Sequence, residues 1–181
     1  VMLHYPYDYP DRNAENKVIA PMHQVFLSIS PEETHSTSNV RELAISSRNC
    51  IFSDEAGRLH PPQRQQFNLT YAKYSYTNCV SECRARIIKE SCGCIPYYYP
   101  QDNSTICNLR DVECLKNFAD WYETSFPGVP LSSHTIFTSK SSNDIDRPCN
   151  CQPDCTLFRY PVEGSSGVLN KQHSYDQIDI L

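Results

Sequence analysis

The stretch that decides the fold is CVSECRARIIKESCGCIP, residues 79–96, together with CNCQPDC, residues 149–155. The first begins with a C-x3-C pair, which on a helix places both sulfurs on one face, about 6 Å apart along the axis. The second begins with a C-x-C pair, which on a strand shares one face at a rise of about 6.6 Å. Because the two spacings match, a strand lying along a helix can be joined to it by two adjacent disulfides. The spacing leaves the direction of that strand open.

The four cysteines from 92 to 114 suit a second set of disulfides. Cys92 and Cys94 follow the predicted helix in a turn, and Cys107 and Cys114 flank the predicted start of another helix. Among the pairings possible for ten cysteines, on the order of a thousand, a nested arrangement suits a helical hairpin best. The alternatives are a metal site or free buried thiols, but zinc sites favour C-x2-C knuckles, which this sequence lacks.

Composition indicates a secreted or extracellular chain. Ten cysteines in 181 residues, with only 39% apolar residues, predict a covalent framework added to a modest core. Two N-glycosylation sequons, at Asn68 and Asn103, point to the same compartment. The sequence begins and stops within patterned segments, so we expect a fragment of a longer protein whose membrane anchor lies outside it.

Several functions are disfavoured. A net charge of −5 provides no basic surface for nucleic acid. The longest apolar runs are far shorter than the roughly 20 residues of a membrane-spanning helix. The histidines are scattered and there is no nucleophile elbow or phosphate-binding glycine loop, so we expect no enzyme, no cofactor and no metal.

Local patterns predict both strands and helices. Alternating apolar residues at 1–5 and the β-rich segment 25–29 indicate strands, and 40–45 is compatible with a third. Residues 74–90 lack Gly and Pro and carry cysteines at helical spacing, which predicts a helix.

A second helix is predicted to begin near Asn108, a good cap, with Asp111 in its first turn. Its expected inward face carries four apolar residues and continues to Pro127: Val112, Leu115, Phe118 and Tyr122. The polar composition of 128–148 predicts a long exposed loop.

The order and spacing of all ten cysteines resemble the extracellular domain of the degenerin/epithelial sodium channel family. VREL at 40–43, RNCIFSDE at 48–55 and CIPYYYP at 94–100 are most similar to its insect pickpocket branch. Members are trimeric, sodium-selective, usually amiloride-sensitive channels with two membrane helices and a large ectodomain.

The resemblance implies an α+β fold in three parts. Residues 1–48 would be antiparallel palm and β-ball strands, 49–160 a two-helix thumb with five nested disulfides, and 161–181 a return segment to the palm. The family's pairing, carried over here, gives the strand an antiparallel direction. The implied pairs are Cys50 with Cys155, Cys79 with Cys151, Cys83 with Cys149, Cys92 with Cys114 and Cys94 with Cys107.

Two departures limit the transfer. Acid-sensing relatives have a tryptophan three positions before the first thumb cysteine, which contacts the first membrane helix; this chain has Ser47 there, so the resemblance does not carry that contact over. Those relatives also carry paired carboxylates where this chain has Lys116 and Asp120. Asp120 and Glu123 are candidate contact residues of the thumb helix, with a solvated helix face as the plainer interpretation.

The predicted function is transmission of extracellular stimuli to the pore of a sodium channel. The resemblance implies sodium ions as the permeating species, partner subunits in a homo- or heterotrimer, and the extracellular side of the plasma membrane. The main alternative is a secreted cysteine-rich protein-binding module that uses Tyr97–Tyr99 as its contact patch, although packing of these tyrosines under the turn is the favoured interpretation. A hydrolase would need an unpaired cysteine.

Overall fold

The computed structural model describes residues 1–10, 14–55, 69–70, 72–124, 149 and 151–169. The strands are β1 (Met2–Leu3), β2 (Glu15–Asn16), β3 (His23–Ile29), β4 (Glu32–His35), β5 (Thr156–Arg159) and β6 (Val162–Val168). The α-helices are α1 (Ile45–Arg48), α2 (Tyr76–Cys92), α3 (Val112–Asn117) and α4 (Ala119–Tyr122), with 3₁₀ turns at Ser38–Glu42 and Leu109–Asp111. The predicted α+β class is confirmed.

Four of the strands form one long antiparallel ribbon. β3 pairs with β6 and β4 pairs with β5 in the same register. Pro31 and Pro161 interrupt the ladder between the two halves, since proline has no N–H to donate. Ser30 nevertheless donates its amide to the Pro161 carbonyl at 3.2 Å, and Ser36 donates to the Cys155 carbonyl at 3.1 Å. The ribbon therefore runs without a break in register up to Cys155.

Helix α2 has clear local reasons to begin and end where it does. The Ser75 side chain accepts a hydrogen bond from the Asn78 amide at 3.1 Å, which caps the first turn. Gly93 ends the helix with a φ of 72°, a conformation that glycine adopts without steric cost, and it donates to the Lys89 carbonyl at 2.8 Å. The helix predicted at 74–90 is confirmed.

The second helix starts as predicted but is not continuous. Asn108 accepts a hydrogen bond from the Arg110 amide at 2.9 Å, and Asp111 accepts one from the Asn108 amide at 2.8 Å, forming a capping box. The helix then breaks between α3 and α4 at Phe118, whose φ and ψ are −102° and 5°.

The single inward face predicted for this helix is partly wrong. Leu115 packs against the core and Tyr122 is buried, but Val112 and Phe118 are 51% and 41% exposed. The break explains part of the difference, because it interrupts the helical periodicity on which the prediction depended.

Two further strand predictions are wrong. Residues 40–45 form the end of a 3₁₀ turn and the start of α1, without pairing to another strand in the described part of the chain. The C-x-C segment is no strand either, because Cys149 lies in a turn and accepts a hydrogen bond from the Cys151 amide at 2.6 Å. At the amino end, the strand expected at 1–5 is reduced to β1. The predicted loop at 128–148 and the sequon at Asn68 lie outside the described residues.

Side chains are buried on and around α2. The larger cluster lies between α2, the turn after it and the second helix, and it contains Cys83, Ala85, Ile87, Ile88, Ile95, Tyr99 and Tyr122. The smaller one lies at the other end of the helix and contains Ile51, Tyr74 and Cys79. By contrast, none of the residues in β3 to β6 is buried.

Candidate functional site

All ten cysteines are paired, in five nested disulfides. The pairs are Cys50–Cys155, Cys79–Cys151, Cys83–Cys149, Cys92–Cys114 and Cys94–Cys107. These are the five pairs that the resemblance implies. Each inner pair lies within the sequence span of the next, so the helical region is closed by successive loops. No thiol remains for nucleophilic chemistry.

The two disulfides on α2 fix one segment along the helix. Cα–Cα distances are 5.8 Å for Cys79–Cys151 and 5.7 Å for Cys83–Cys149, within the usual range for disulfides. The later cysteine of the helix joins the earlier cysteine of the C-x-C segment, so the two run in opposite directions. The match of spacings identified from the sequence is therefore realised, by a turn and not by a strand.

The ribbon joins the helical region at Cys50–Cys155, where the Cα–Cα distance is 5.0 Å. Next to this disulfide, Ile51 donates its amide to the Pro153 carbonyl at 2.9 Å and accepts from the Cys155 amide at 3.0 Å. Ile51 is fully buried. We call this contact, with the residues around it, the junction.

A tyrosine fixes the other side of the junction. The Tyr74 hydroxyl donates to the Gln152 carbonyl at 2.7 Å and accepts from the Gln152 amide at 2.8 Å. Burial raises the pKa of Tyr74 above its ordinary value, so the hydroxyl stays protonated and able to donate. Two hydrogen bonds thus tie the residue before α2 to the cysteine-rich return segment.

Asp154 caps the junction electrostatically. Its carboxylate accepts a hydrogen bond from the Tyr76 amide, with oxygens at 3.0 and 3.1 Å, and so lies at the N-terminus of α2, where the helix dipole favours negative charge. Burial, the main cause, and the charge of Asp8 together raise the pKa of Asp154 to about 6, and the hydrogen bond from Tyr76 opposes them.

Asn78 docks the amino-terminal segment onto the same end of α2. Its side-chain oxygen accepts from the Tyr9 amide at 2.6 Å, and its amide nitrogen donates to the carbonyls of Tyr7 at 2.8 Å and Lys73 at 3.0 Å. Asn78 is 3% exposed. A buried amide with these partners stabilises the contact between two segments that are 69 or more residues apart in sequence.

A cation–aromatic cluster borders the junction on the side of α1. The Arg41 guanidinium lies 3.9 Å and that of Arg48 5.2 Å from the centre of the Phe52 ring. Arg48 forms a two-point ion pair with Glu55, one contact measuring 3.0 Å, and Arg41 contacts Asp54 at 3.0 Å. Phe52 is buried between these guanidinium groups, which fixes the chain after Cys50.

Arg84 joins the two helices. Its Nε donates to the Tyr122 carbonyl at 2.9 Å, and one terminal nitrogen donates to the Thr124 carbonyl at 3.0 Å. The residue is 5% exposed. Because the last carbonyls of a helix have no partner within it, a guanidinium at this position satisfies them and fixes the end of α4 against α2.

The described residues offer little for metal chemistry. The group that approaches metal-ligand geometry is Cys94, Cys107 and Asp111, and both of its sulfurs belong to one disulfide. In the described part of the chain no helix is long and apolar enough to span a membrane. The arrangement supports mechanical coupling between segments better than it supports ligand chemistry.

Residues 1–180 match the family model of the amiloride-sensitive sodium channel. The chain belongs to this family. The resemblance inferred from the cysteines is therefore confirmed, and so is the expectation that the chain is no enzyme, because the family consists of ion channels.

Individual relatives in the amiloride-sensitive sodium channel family agree. Sodium channel protein Nach of Drosophila melanogaster is 30% identical over 172 residues, which is 92% of this chain and 28% of that protein. Pickpocket protein 11 of the same species is 26% identical over 94% of this chain and 28% of its own length. The bile acid-sensitive ion channel of Mus musculus is 25% identical over 80% of this chain and 25% of its own length. The chain thus spans between 25% and 28% of these relatives.

The structure places the predicted contact residues of this family member at the surface. Asp120 is exposed on α4. Glu123 is exposed too, at the edge of a cleft of about 570 Å³ between α2 and the amino-terminal segment. Asn103 is exposed in the turn after α2, and Ser47 is exposed on α1.

The tyrosine segment does not form a uniform contact patch. Tyr97 is 77% exposed, whereas Tyr99 is 2% exposed and belongs to the core. Tyr98 lies between them, edge-on to Tyr97 at 5.2 Å between ring centres. The proposed binding patch of a secreted module is thus reduced to one exposed ring and part of another.

Three of the residues that build the junction and hold the helices together were missed from the sequence. Asn78, Arg84 and Asp154 each contact a partner at least 38 residues away. One hint was available for Arg84, which directly follows a cysteine on the expected buried side of α2. A charged residue in that position requires a partner.

Proposed function

We propose that residues 49–160 are the extracellular thumb of a sodium channel subunit, with residues 1–48 and 161–181 as adjoining palm segments, and that this unit transmits stimuli to the pore. The observation that carries the proposal is the set of nested disulfides, which makes the helical region one covalently closed body attached to the ribbon at Cys50–Cys155. A body of this kind transmits displacement instead of absorbing it.

The mechanism is a change in relative stability of closed and open states. A ligand, a force or a partner that contacts the helical region differently in the two states shifts their populations by the difference in free energy. Internal deformation is opposed by the core around Ile88 and Tyr99, both at most 2% exposed. Displacement therefore appears at the junction, where Tyr74 and Asp154 contact the return segment and α2.

The wider assignments follow from the family. Sodium ions would permeate through a pore formed by other segments, the subunit would assemble as a homo- or heterotrimer, and this region would face the extracellular side of the plasma membrane.

The test is to record sodium currents from the full-length subunit while varying pH, osmolarity and candidate ligands. Tyr74→Phe removes the hydroxyl that bonds to Gln152 and leaves the ring in place. The matched control is Tyr97→Phe, which removes an exposed hydroxyl from the same helical region. Currents are divided by the amount of subunit at the cell surface.

We expect Tyr74→Phe to shift the dose–response curve of the effective stimulus, while Tyr97→Phe leaves it unchanged. If both variants give wild-type curves per surface subunit, the junction does not transmit the stimulus. If the wild-type subunit forms no sodium-permeable channel, alone or with co-expressed relatives, the assignment as a channel subunit fails.

A further inference from the structure

Two carboxylates from distant parts of the chain face the same cleft beside the junction. Asp8 comes from the amino-terminal segment, and Asp154 directly precedes Cys155 in the return segment. Both line a cleft of about 310 Å³ between the amino-terminal segment, α2 and β5. Neither forms an ion pair within the described residues, although each is shielded from solvent.

The backbone on both sides of Asp8 determines where its side chain lies. Asn78 binds the Tyr7 carbonyl and the Tyr9 amide, so the residue between them is held against the first turn of α2. There the Asp8 carboxyl lies close enough to Ser75 for that side chain to lower its pKa, which opposes the effect of burial. Its Oδ1 atom is buried and has no hydrogen-bond partner in the described structure. An ionised carboxylate in that position is costly, because it has lost water without gaining a full set of donors.

Cationic groups near the pair are engaged elsewhere. Arg41 contacts Asp54 across the cleft at 3.0 Å. The Lys73 ammonium lies 5.6 Å from the centre of the Tyr7 ring. His4, on the amino-terminal segment, attracts the Asp8 charge and opposes the effect of burial on it.

Phenols also face the pair: Tyr5, Tyr7 and Tyr9 on the amino-terminal segment, Tyr74 and Tyr76 at the start of α2, and Tyr160 in the return segment. The remaining charged groups are Asp54, which lines the same cleft, and Glu15, Arg84, Glu123 and Arg159, which line the neighbouring cleft that Asp8 also borders. Because phenols are neutral between pH 5 and pH 8, they add no charge that changes in this range.

Burial raises the pKa of both carboxyls, and the Asp8 charge adds to the effect on Asp154, whose pKa is about 6. When the segment is undocked and the carboxyls are solvated, their pKa values return toward the ordinary 3.8. A carboxyl with a raised pKa binds its proton more tightly in the docked form, so the docked form gains stability as pH falls through about 6. The gain in stability of the docked form is complete once the pH is below the ordinary carboxyl pKa of 3.8.

We propose that Asp8 and Asp154 form a proton-dependent latch, which docks residues 1–10 more tightly on the first turn of α2 and on the junction when the pair takes up a proton. The latch differs in residues and place from the carboxylates predicted on the second thumb helix. It does not depend on the channel assignment, because docking is measured without ion flow.

The experiment is hydrogen exchange with mass spectrometry on the full-length subunit between pH 7.5 and pH 4.5, with exchange times scaled to the intrinsic rate at each pH. The reporter is the Tyr9 amide, which donates to Asn78. We expect its protection to rise about tenfold on acidification. This is less than the factor that the full rise in the carboxyl pKa would give, because the pair is only partly shielded from solvent. The rise is expected to begin near pH 6 and to continue down to pH 4.5.

Asp154→Asn and Asp8→Asn keep the size of the side chain and remove the charge. Each single variant is expected to weaken the pH dependence, and the double variant to show similar protection at both pH values. Asp120→Asn, an exposed carboxylate on α4, is the control and is expected to keep the wild-type pH dependence. A wild-type rise that begins only below about pH 4.5, or no pH dependence, overturns the latch. So does a pH dependence of wild-type size in the double variant. If a variant loses protection throughout α2, it is misfolded, and the pH at which wild-type protection begins to rise decides alone.

Discussion

The helical region and the ribbon are stabilised in different ways. The helical region holds two buried clusters and four of the five disulfides. The ribbon has continuous backbone pairing over β3 to β6 but no buried side chain, and Phe26 and Val168 are 64% and 75% exposed. Since a two-stranded ribbon is marginal without a packed face, side-chain packing stabilises the first region and backbone hydrogen bonds hold the second. We therefore expect equal changes in the two regions to have unequal effects.

The largest effect is expected from removing a disulfide of the α2 ladder. Replacing Cys83 and Cys149 together by Ala removes a disulfide with a sequence separation of 66, and Cys79–Cys151 still encloses the same loop. For each loop taken on its own, the chain-entropy model gives an upper limit of about 4 kcal/mol in the free energy of unfolding, against about 3 kcal/mol for Cys94 and Cys107, whose separation is 13. Urea denaturation of the chain under non-reducing conditions measures both. An unchanged midpoint after loss of Cys83–Cys149 would show that the ladder does not stabilise the region.

A cavity in the core is expected to come next. Ile88 is fully buried in the larger cluster, so Ile88→Ala is expected to cost about 2–5 kcal/mol in the free energy of unfolding. The matched change in the ribbon, Phe26→Ala, removes more atoms from an exposed position. It is expected to change the free energy of unfolding by less than about 0.5 kcal/mol. Equal losses for the two variants, measured by urea denaturation, would remove the contrast between the regions.

The contact between the helices is expected to contribute less. Arg84→Met keeps the apolar stem but leaves the carbonyls of Tyr122 and Thr124 without this donor, at a cost of about 1–3 kcal/mol. Arg86→Met, at an exposed position of the same helix, removes a guanidinium that contacts the Cys83 sulfur at 3.3 Å; it is the control and is expected to cost less than Arg84→Met. Thermal unfolding followed by circular dichroism distinguishes the two, and a smaller loss for Arg84 than for Arg86 would refute the role of this contact.

The smallest effect is expected at a surface ion pair of the helical region. Lys89 contacts Asp102 at 2.6 Å, and this hydrogen bond lowers the pKa of Asp102 to about 2. Because the pKa is lowered on folding, the contribution is present above the ordinary value of 3.8 and is lost as pH falls through about 2. Asp102→Asn is expected to lower the urea midpoint slightly at pH 6 and not at pH 2. A larger loss at pH 2 would reverse the sign of this argument.

The parts of the fold that could be predicted from the sequence depend on neighbouring residues. The bounds of α2 follow from the Ser75 cap, the Gly93 stop and the helical spacing of cysteines, all within one segment. The cap at Asn108 is local in the same sense. The second helix fails as a continuous element because the break at Phe118 has no proline or glycine to signal it.

The parts that were wrong or missed depend on distant partners. An apolar run such as 40–45 becomes a strand when another strand is available to pair with it, and here Arg41 contacts Asp54 instead. The C-x-C segment shows that a match of spacing identifies which cysteines can be bridged without fixing the conformation that brings them there. Asn78 and Asp154 act on segments 69 to 78 residues away, so no local pattern could indicate their roles.

The central claim is that the helical region is one covalently nested body joined to the ribbon at a single disulfide. Non-reducing proteolysis and mass spectrometry of the full-length subunit test it most directly. The account predicts cross-linked peptides for Cys50–Cys155, Cys79–Cys151, Cys83–Cys149, Cys92–Cys114 and Cys94–Cys107. A cross-link that exchanges partners between these pairs, or a free thiol at any of the ten positions, would contradict it.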